Sequence, residues 1–150
     1  MKKSVYFLIL VAMCIPWLAF SQKTIDCNSK PSTPDTYVLV SSQPDGNYIL
    51  NPTDIKFLSF ESKTTATKGS DMIKKLDGKG LNACIFDYLM DHQDMVPETW
   101  KGKEIVFTGS VFKDAGGNEL MRAMYWWNDE WSTKVVYLSE AYDDKVAALK

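Results

Sequence analysis

Histidine and arginine are almost missing from this 150-residue chain: His92 is the one histidine and Arg122 the one arginine. Their scarcity removes the commonest general base and the commonest phosphate clamp. No G-x-S-x-G elbow, H-E-x-x-H pair, phosphate-cradling glycine loop or Cys/His constellation occurs. The familiar catalytic motifs are therefore excluded, and no cofactor is expected. The three cysteines show neither a C-x-x-C redox pair nor a zinc spacing. An excess of positive charge is lacking as well. With 17 bases against 19 acids the formal charge is −2, and the clustered Lys and Arg that track a phosphate backbone are absent, so nucleic acid is not an expected partner. What is present is ordinary for a globular chain, with 45% hydrophobic and 13% aromatic residues. The length fits one compact domain.

The only long apolar run is at the start. Lys2 and Lys3 precede an apolar stretch from Val5 to Phe20, and Ala19-Phe20-Ser21 sets small residues at the −3 and −1 positions before Gln22. This pattern predicts a secretory signal peptide over residues 1–21 and a periplasmic or extracellular protein. The run is broken by Pro16 and is short for the ~20 residues of a spanning helix, so no stable membrane span is expected after its removal. Lipidation of Cys14 is rejected, because Met13 stands where a lipobox needs a small residue and Ile15-Pro16-Trp17-Leu18 stays apolar. Loss of Lys2 and Lys3 leaves 15 bases against 19 acids, a net charge of −4. It also leaves two cysteines, Cys27 and Cys84, which in an oxidising compartment read as one disulfide. The alternative is a buried free Cys84 on a helix and a loose Cys27.

Along the mature chain, residues 22–36 read as an extended lead-in and residues 37–150 as a single α+β domain. Tyr37 to Ser41 is β-rich, Pro44-Asp45-Gly46-Asn47 is a turn, Tyr48 to Leu50 is the expected partner strand, and Ile55 to Glu61 alternates as a third. Lys63 to Gly69 reads as linker. Ser70 caps a short predicted helix over Asp71 to Leu76 that Gly78 ends. The main helix carries Leu81, Cys84, Ile85, Tyr88, Leu89 and His92 on one face, with Phe86 and Met90 widening it. Lys103 to Phe112, Glu119 to Trp127 and Ser132 to Ser139 read as an antiparallel meander, joined at Gly116-Gly117 and at Asn128-Asp129-Glu130. Centring those turns sets Phe107 opposite Trp126, Val111 opposite Arg122 and Met124 opposite Val135. Ala141 to Lys150 reads as a closing helical turn. An antiparallel sheet whose C-terminal meander packs on one main helix is similar in architecture to the α+β rolls of cystatin-like and NTF2-like proteins. That likeness implies a shape and no function.

Tyr125-Trp126-Trp127, followed by Trp131, is the most unusual stretch. Strand alternation sends Trp126 to the core under the main helix and Trp127 with Tyr125 to the other face, beside Thr108, Ser110 and Lys134. Tyr125, Trp127, Trp131 and Lys134 are accordingly the expected binding surface, for a protein partner or an envelope glycan. The leading expectation is a non-catalytic exported binding protein. The alternatives are a small hydrolase or ligand-processing enzyme using His92 and a carboxylate, and a carbohydrate-binding module using exposed tryptophan. Asp87, Asp91 and Asp94 share a helical stripe. They are candidates for a hard metal such as calcium, against the blander reading of a solvated acidic face. Arg122, set mid-strand, either clamps an anion or snorkels beside an acidic residue.

Overall fold

The computed structural model describes residues 22–34, 36–60 and 66–150. The signal-peptide reading over residues 1–21, and residues 63–65 of the expected linker, therefore lie outside the described residues. The rest of that linker holds a short strand, Thr67–Lys68, and the start of a helix at Gly69. Among the described residues ten strands and two α-helices follow in the order β1 Lys23–Asp26, β2 Val38–Ser42, β3 Asn47–Leu50, β4 Lys56–Ser59, β5 Thr67–Lys68, α1 Gly69–Leu76, α2 Ala83–Asp91, β6 Glu104–Lys113, β7 Glu119–Trp127, β8 Glu130–Tyr137, β9 Ala141–Tyr142 and β10 Lys145–Leu149. The main sheet runs β4-β10-β6-β7-β8, with β2 on the remaining part of β6. The class is α+β, as expected, and β6-β7-β8 is the expected meander.

Each face of that sheet carries a helix. Against one face α2 packs Ile85, Phe86 and Leu89 onto Ile105, Phe107 and Met124, with Trp100 and Trp131 in the same cluster. Against the other, α1 packs Met72 and Leu76 onto Val106, Met121, Ala123, Val136 and Ala147. The main helix thus covers the meander as expected, and the short helix α1 lies on the opposite face. Alternation along β6 and β7 makes this arrangement necessary, since each strand carries apolar residues at successive positions and both sets need cover.

Three further expectations change. Ala141 to Lys150 is not helical. β10 lies inside the sheet, antiparallel to β4 and parallel to β6. Its Val146 and Ala148 enter one core cluster and Ala147 the other. A strand covered on both faces shows no alternation, and its alanines favour a helix by propensity alone. Second, Tyr48 to Leu50 does not pair with Tyr37 to Ser41, because β3 pairs with β1. Third, the hairpin registers shift. Asn128 and Asp129 take positive φ, 49° and 62°, and form a two-residue turn between Trp127 and Glu130. Met124 then faces Thr133 rather than Val135. This two-residue slip preserves the faces.

The first hairpin departs more. Phe107 faces Arg122 while Phe112 faces Leu120, so the four residues from Thr108 to Val111 stand against Met121 alone. The cause lies in another segment. Gly80 and Leu81 pass beside β6 at this point, with Gly109 N–H donating to the Leu81 carbonyl at 2.9 Å. The approach requires glycine on both sides. A Cβ at Gly80 would stand 1.8 Å from Thr108 Oγ1, and one at Gly109 would stand 2.7 Å from the Gly80 carbonyl oxygen. The outer edge of β6 is consequently divided, with β10 on Glu104–Val106 and β2 on Ser110–Lys113.

Cys27 and Cys84 are joined, with Cα atoms 5.6 Å apart. The bridge ties the lead-in to the first turn of α2, whose N–H groups are capped by Asn82: its side-chain oxygen accepts from Cys84 N–H at 2.9 Å. Among the described residues no helix is long and apolar enough to cross a membrane.

Candidate functional site

Helix α1 covers only part of its face. Toward the β7–β8 turn, alternation continues that face through Glu104, Tyr125, Trp127, Ser132, Lys134 and Lys145. Glu104 is the centre of a charge cluster, with its carboxylate shared between Lys134 and Lys145. Lys145 is almost wholly buried, at 4% exposure, and makes a second ion pair with Asp144 at 3.0 Å. Its ammonium also stands over the Tyr142 ring, 4.3 Å from the centroid, while Lys134 stands 5.3 Å from the Tyr125 centroid. A buried ammonium survives only with such partners.

The tyrosine and aspartate of this cluster are shifted accordingly. Burial, followed by its hydrogen bond to Glu140 at 2.8 Å, pushes the Tyr142 hydroxyl up to about 12. The same hydroxyl accepts from Tyr137 N–H at 2.9 Å. The hydrogen bond from Lys145 holds Asp144 below the usual carboxylate value.

Trp127 stands out beside this cluster at 61% exposure. Trp126 is half-buried, with its ring edge to face with Trp131 at 5.5 Å and Lys101 Nζ 3.7 Å from its centroid. Trp131 was expected on the binding surface and is instead a core residue, 4% exposed. The two-residue turn makes it the cross-strand partner of Trp126 and so assigns it to the α2 face. Gln93 holds it there, donating from Nε2 to the Trp131 carbonyl at 3.1 Å and accepting from its N–H at 3.0 Å. Tyr125, Trp127 and Lys134 do share one face. Thr108 and Ser110 do not join them, because the bulge carries both inward. Ser110 Oγ is taken up by Asn82 Oδ1, Ser42 and Ala83 N–H, each at 3.1 Å.

The remaining candidates have structural partners. Arg122 Nη1 donates to Asp87 at 2.5 Å and to the Ser32 carbonyl at 3.2 Å, and its guanidinium covers the Phe86 ring at 4.0 Å. Asp87 also accepts from Ser32 N–H at 2.7 Å. The arginine is therefore neither free for an anion nor merely snorkelling, since the pair fastens the lead-in to α2 and β7. Burial raises the Asp87 pKa and outweighs the opposing effect of Arg122. Asp91 and Asp94 are exposed, and among the described residues no three His, Cys, Asp or Glu side chains come together to hold a metal. His92 is exposed, stacked on Tyr88 at 4.1 Å, with Nδ1 3.0 Å from the Tyr88 carbonyl oxygen at the end of α2.

Glu104 and Lys145 were not singled out from the sequence. A lone glutamate at the head of an apolar strand was the available signal for the first. The second was hidden in a segment read as helix. With both lysines bound to one carboxylate, the cluster holds charge in place and fixes the Tyr125 and Tyr142 rings. No family model matches the chain, and no curated protein or solved structure matches it either.

Proposed function

We propose that the chain is a non-catalytic binding protein of an oxidising, extracytoplasmic compartment, and that it contacts a partner protein through the surface bearing Tyr125, Trp127 and Lys134. The observation that carries this reading is the position of Trp127. It stands 61% exposed at the end of a strand whose neighbours are packed, beside an ordered Glu104–Lys134–Lys145 cluster. A large aromatic next to fixed charges makes an effective interface anchor, because it loses little side-chain freedom on contact. The Cys27–Cys84 bridge supports the compartment, since disulfides persist where thiols are not kept reduced.

A pull-down from the envelope fraction of the source cell, with wild-type and Trp127→Ala protein side by side, tests the reading. A partner lost with the variant while its melting temperature is unchanged supports it. Equal recovery by both proteins refutes the surface. Retention on envelope polysaccharide instead of a protein replaces this reading with the glycan alternative.

A further inference from the structure

β8 is the last strand of the main sheet, and its outer edge carries no strand among the described residues. The two-residue turn fixes which of its backbone groups point outward. Glu130 faces Trp127 next to the turn and bonds inward, so Trp131, Thr133, Val135 and Tyr137 present their N–H and C=O groups to the outside. Side chains fill the two ends of this row. Gln93 bonds both groups of Trp131, as a neighbouring strand would, and the Tyr142 hydroxyl accepts from Tyr137 N–H. Between these seals the outward groups of Thr133 and Val135 have no partner among the described residues. Thr133 is exposed and Val135 half-buried.

We propose that this window receives an extended segment of a partner protein as an added strand, with an acidic side chain of that segment opposite Lys134. The inference rests on the binding-protein reading and names its mode of contact. A second copy of this chain is the wrong occupant. The antiparallel register that would satisfy all four open groups sets Thr133 opposite Val135 of the copy, and this brings Lys134 directly against Lys134. The same lysine favours a carboxylate. It is the one charged side chain between Trp131 and Tyr137, keeps 38% of its side chain exposed, and shares Glu104 with Lys145. An edge lysine thus discourages self-pairing and selects an acidic segment.

The probe is a displayed library of twelve-residue peptides selected on the intact protein, with backbone amides followed by hydrogen exchange. In the free protein the Thr133 and Val135 amides should exchange at least about tenfold faster than those of Trp131 and Tyr137. Selected peptides should be β-branched around an Asp or Glu, and their binding should protect the two amides. Thr133→Pro removes an outward donor and leaves the inward bonds to β7 intact, and should weaken binding at least about tenfold. Replacing the peptide's acid with lysine should weaken it similarly, with no change to the protein's fold. Failure to enrich any peptide that protects these amides overturns the inference. So does undiminished binding to Thr133→Pro. Either result leaves the Trp127 pull-down to decide the broader reading independently.

Discussion

Trp126 and Trp131 stand directly opposite one another across the β7–β8 hairpin, their rings edge to face at 5.5 Å, while the adjacent Trp127 projects into solvent on the other face. The three tryptophans therefore divide into a core pair and an exposed one. Trp131→Ala should cost about 3–5 kcal/mol as a core deletion, and Trp126→Ala somewhat less because its ring is half-buried. Trp127→Ala should fall within about 0.5 kcal/mol of wild type. Urea melts of the three variants decide the matter, and equal losses for Trp127→Ala and Trp131→Ala would contradict the division.

Lys145 is held by Glu104, Asp144 and the Tyr142 ring. Lys145→Met should destabilise by about 2–4 kcal/mol, because it leaves the Glu104 carboxylate half-uncompensated beside the core. Adding Glu104→Gln should recover part of that loss, giving a coupling of about 1 kcal/mol or more in a double-mutant cycle. Strict additivity of the two substitutions would show that the pair is not energetically linked.

The Cys27–Cys84 bridge spans a sequence separation of 57 residues. A loop of that size restricts the unfolded chain by roughly 4 kcal/mol in the entropy model. Guanidinium melts with and without reductant should differ by about 2–4 kcal/mol. The Cys27 amide, which donates to the Gly46 carbonyl, and the Ser32 amide, which donates to Asp87, should lose protection under reduction before those of β7 do, since the bridge, the β1–β3 pairing and the Arg122–Asp87 pair together hold the lead-in.

Asp114 and Asp144 both have depressed pKa values, from hydrogen bonds with Asn118 and Lys145 respectively. A carboxylate lowered by folding stabilises above its unfolded value of 3.8, and that contribution disappears as pH falls through the folded value. Stability should therefore decline on acidification below about pH 4, and Asp144→Asn should flatten that limb. Asp87 acts in the opposite sense. Its pKa is raised by burial, so its contribution is complete below its unfolded value and diminishes as pH rises through the folded one. Thermal melts across pH 2–6, a range about the reference carboxylate values, separate the two behaviours, and an unchanged acid limb in Asp144→Asn would contradict the assignment.

The parts legible in the sequence are those governed by their own neighbours. α2 and the strands β7 and β8 were readable because a stripe or an alternation marks each of them. Cys27 and Cys84 were readable as a pair from their number and compartment. The unreadable parts depend on remote segments. The bulge at Thr108–Val111 exists because Gly80 and Leu81 press on β6, and nothing within β6 records it except Gly109. Lys145–Leu149 looks helical because a strand buried on both faces has no polar side to show. Trp131 was misassigned for a smaller reason. Asn128-Asp129 makes a two-residue turn, and a wider turn leaves that tryptophan's face undefined.

β10 separates β4 from β6, although it follows every other strand of the main sheet in the chain. The meander can assemble through two short turns, but β4 has no place in the sheet until β10 arrives beside it. The topology thus favours local hairpins forming first and the distant closing strand joining afterwards. Until that last step the Glu104–Val106 edge stands open and the alanines of β10 remain unprotected. A chain caught before that step would carry a raw β6 edge in addition to the open edge of β8, and such edges invite pairing with a neighbouring molecule.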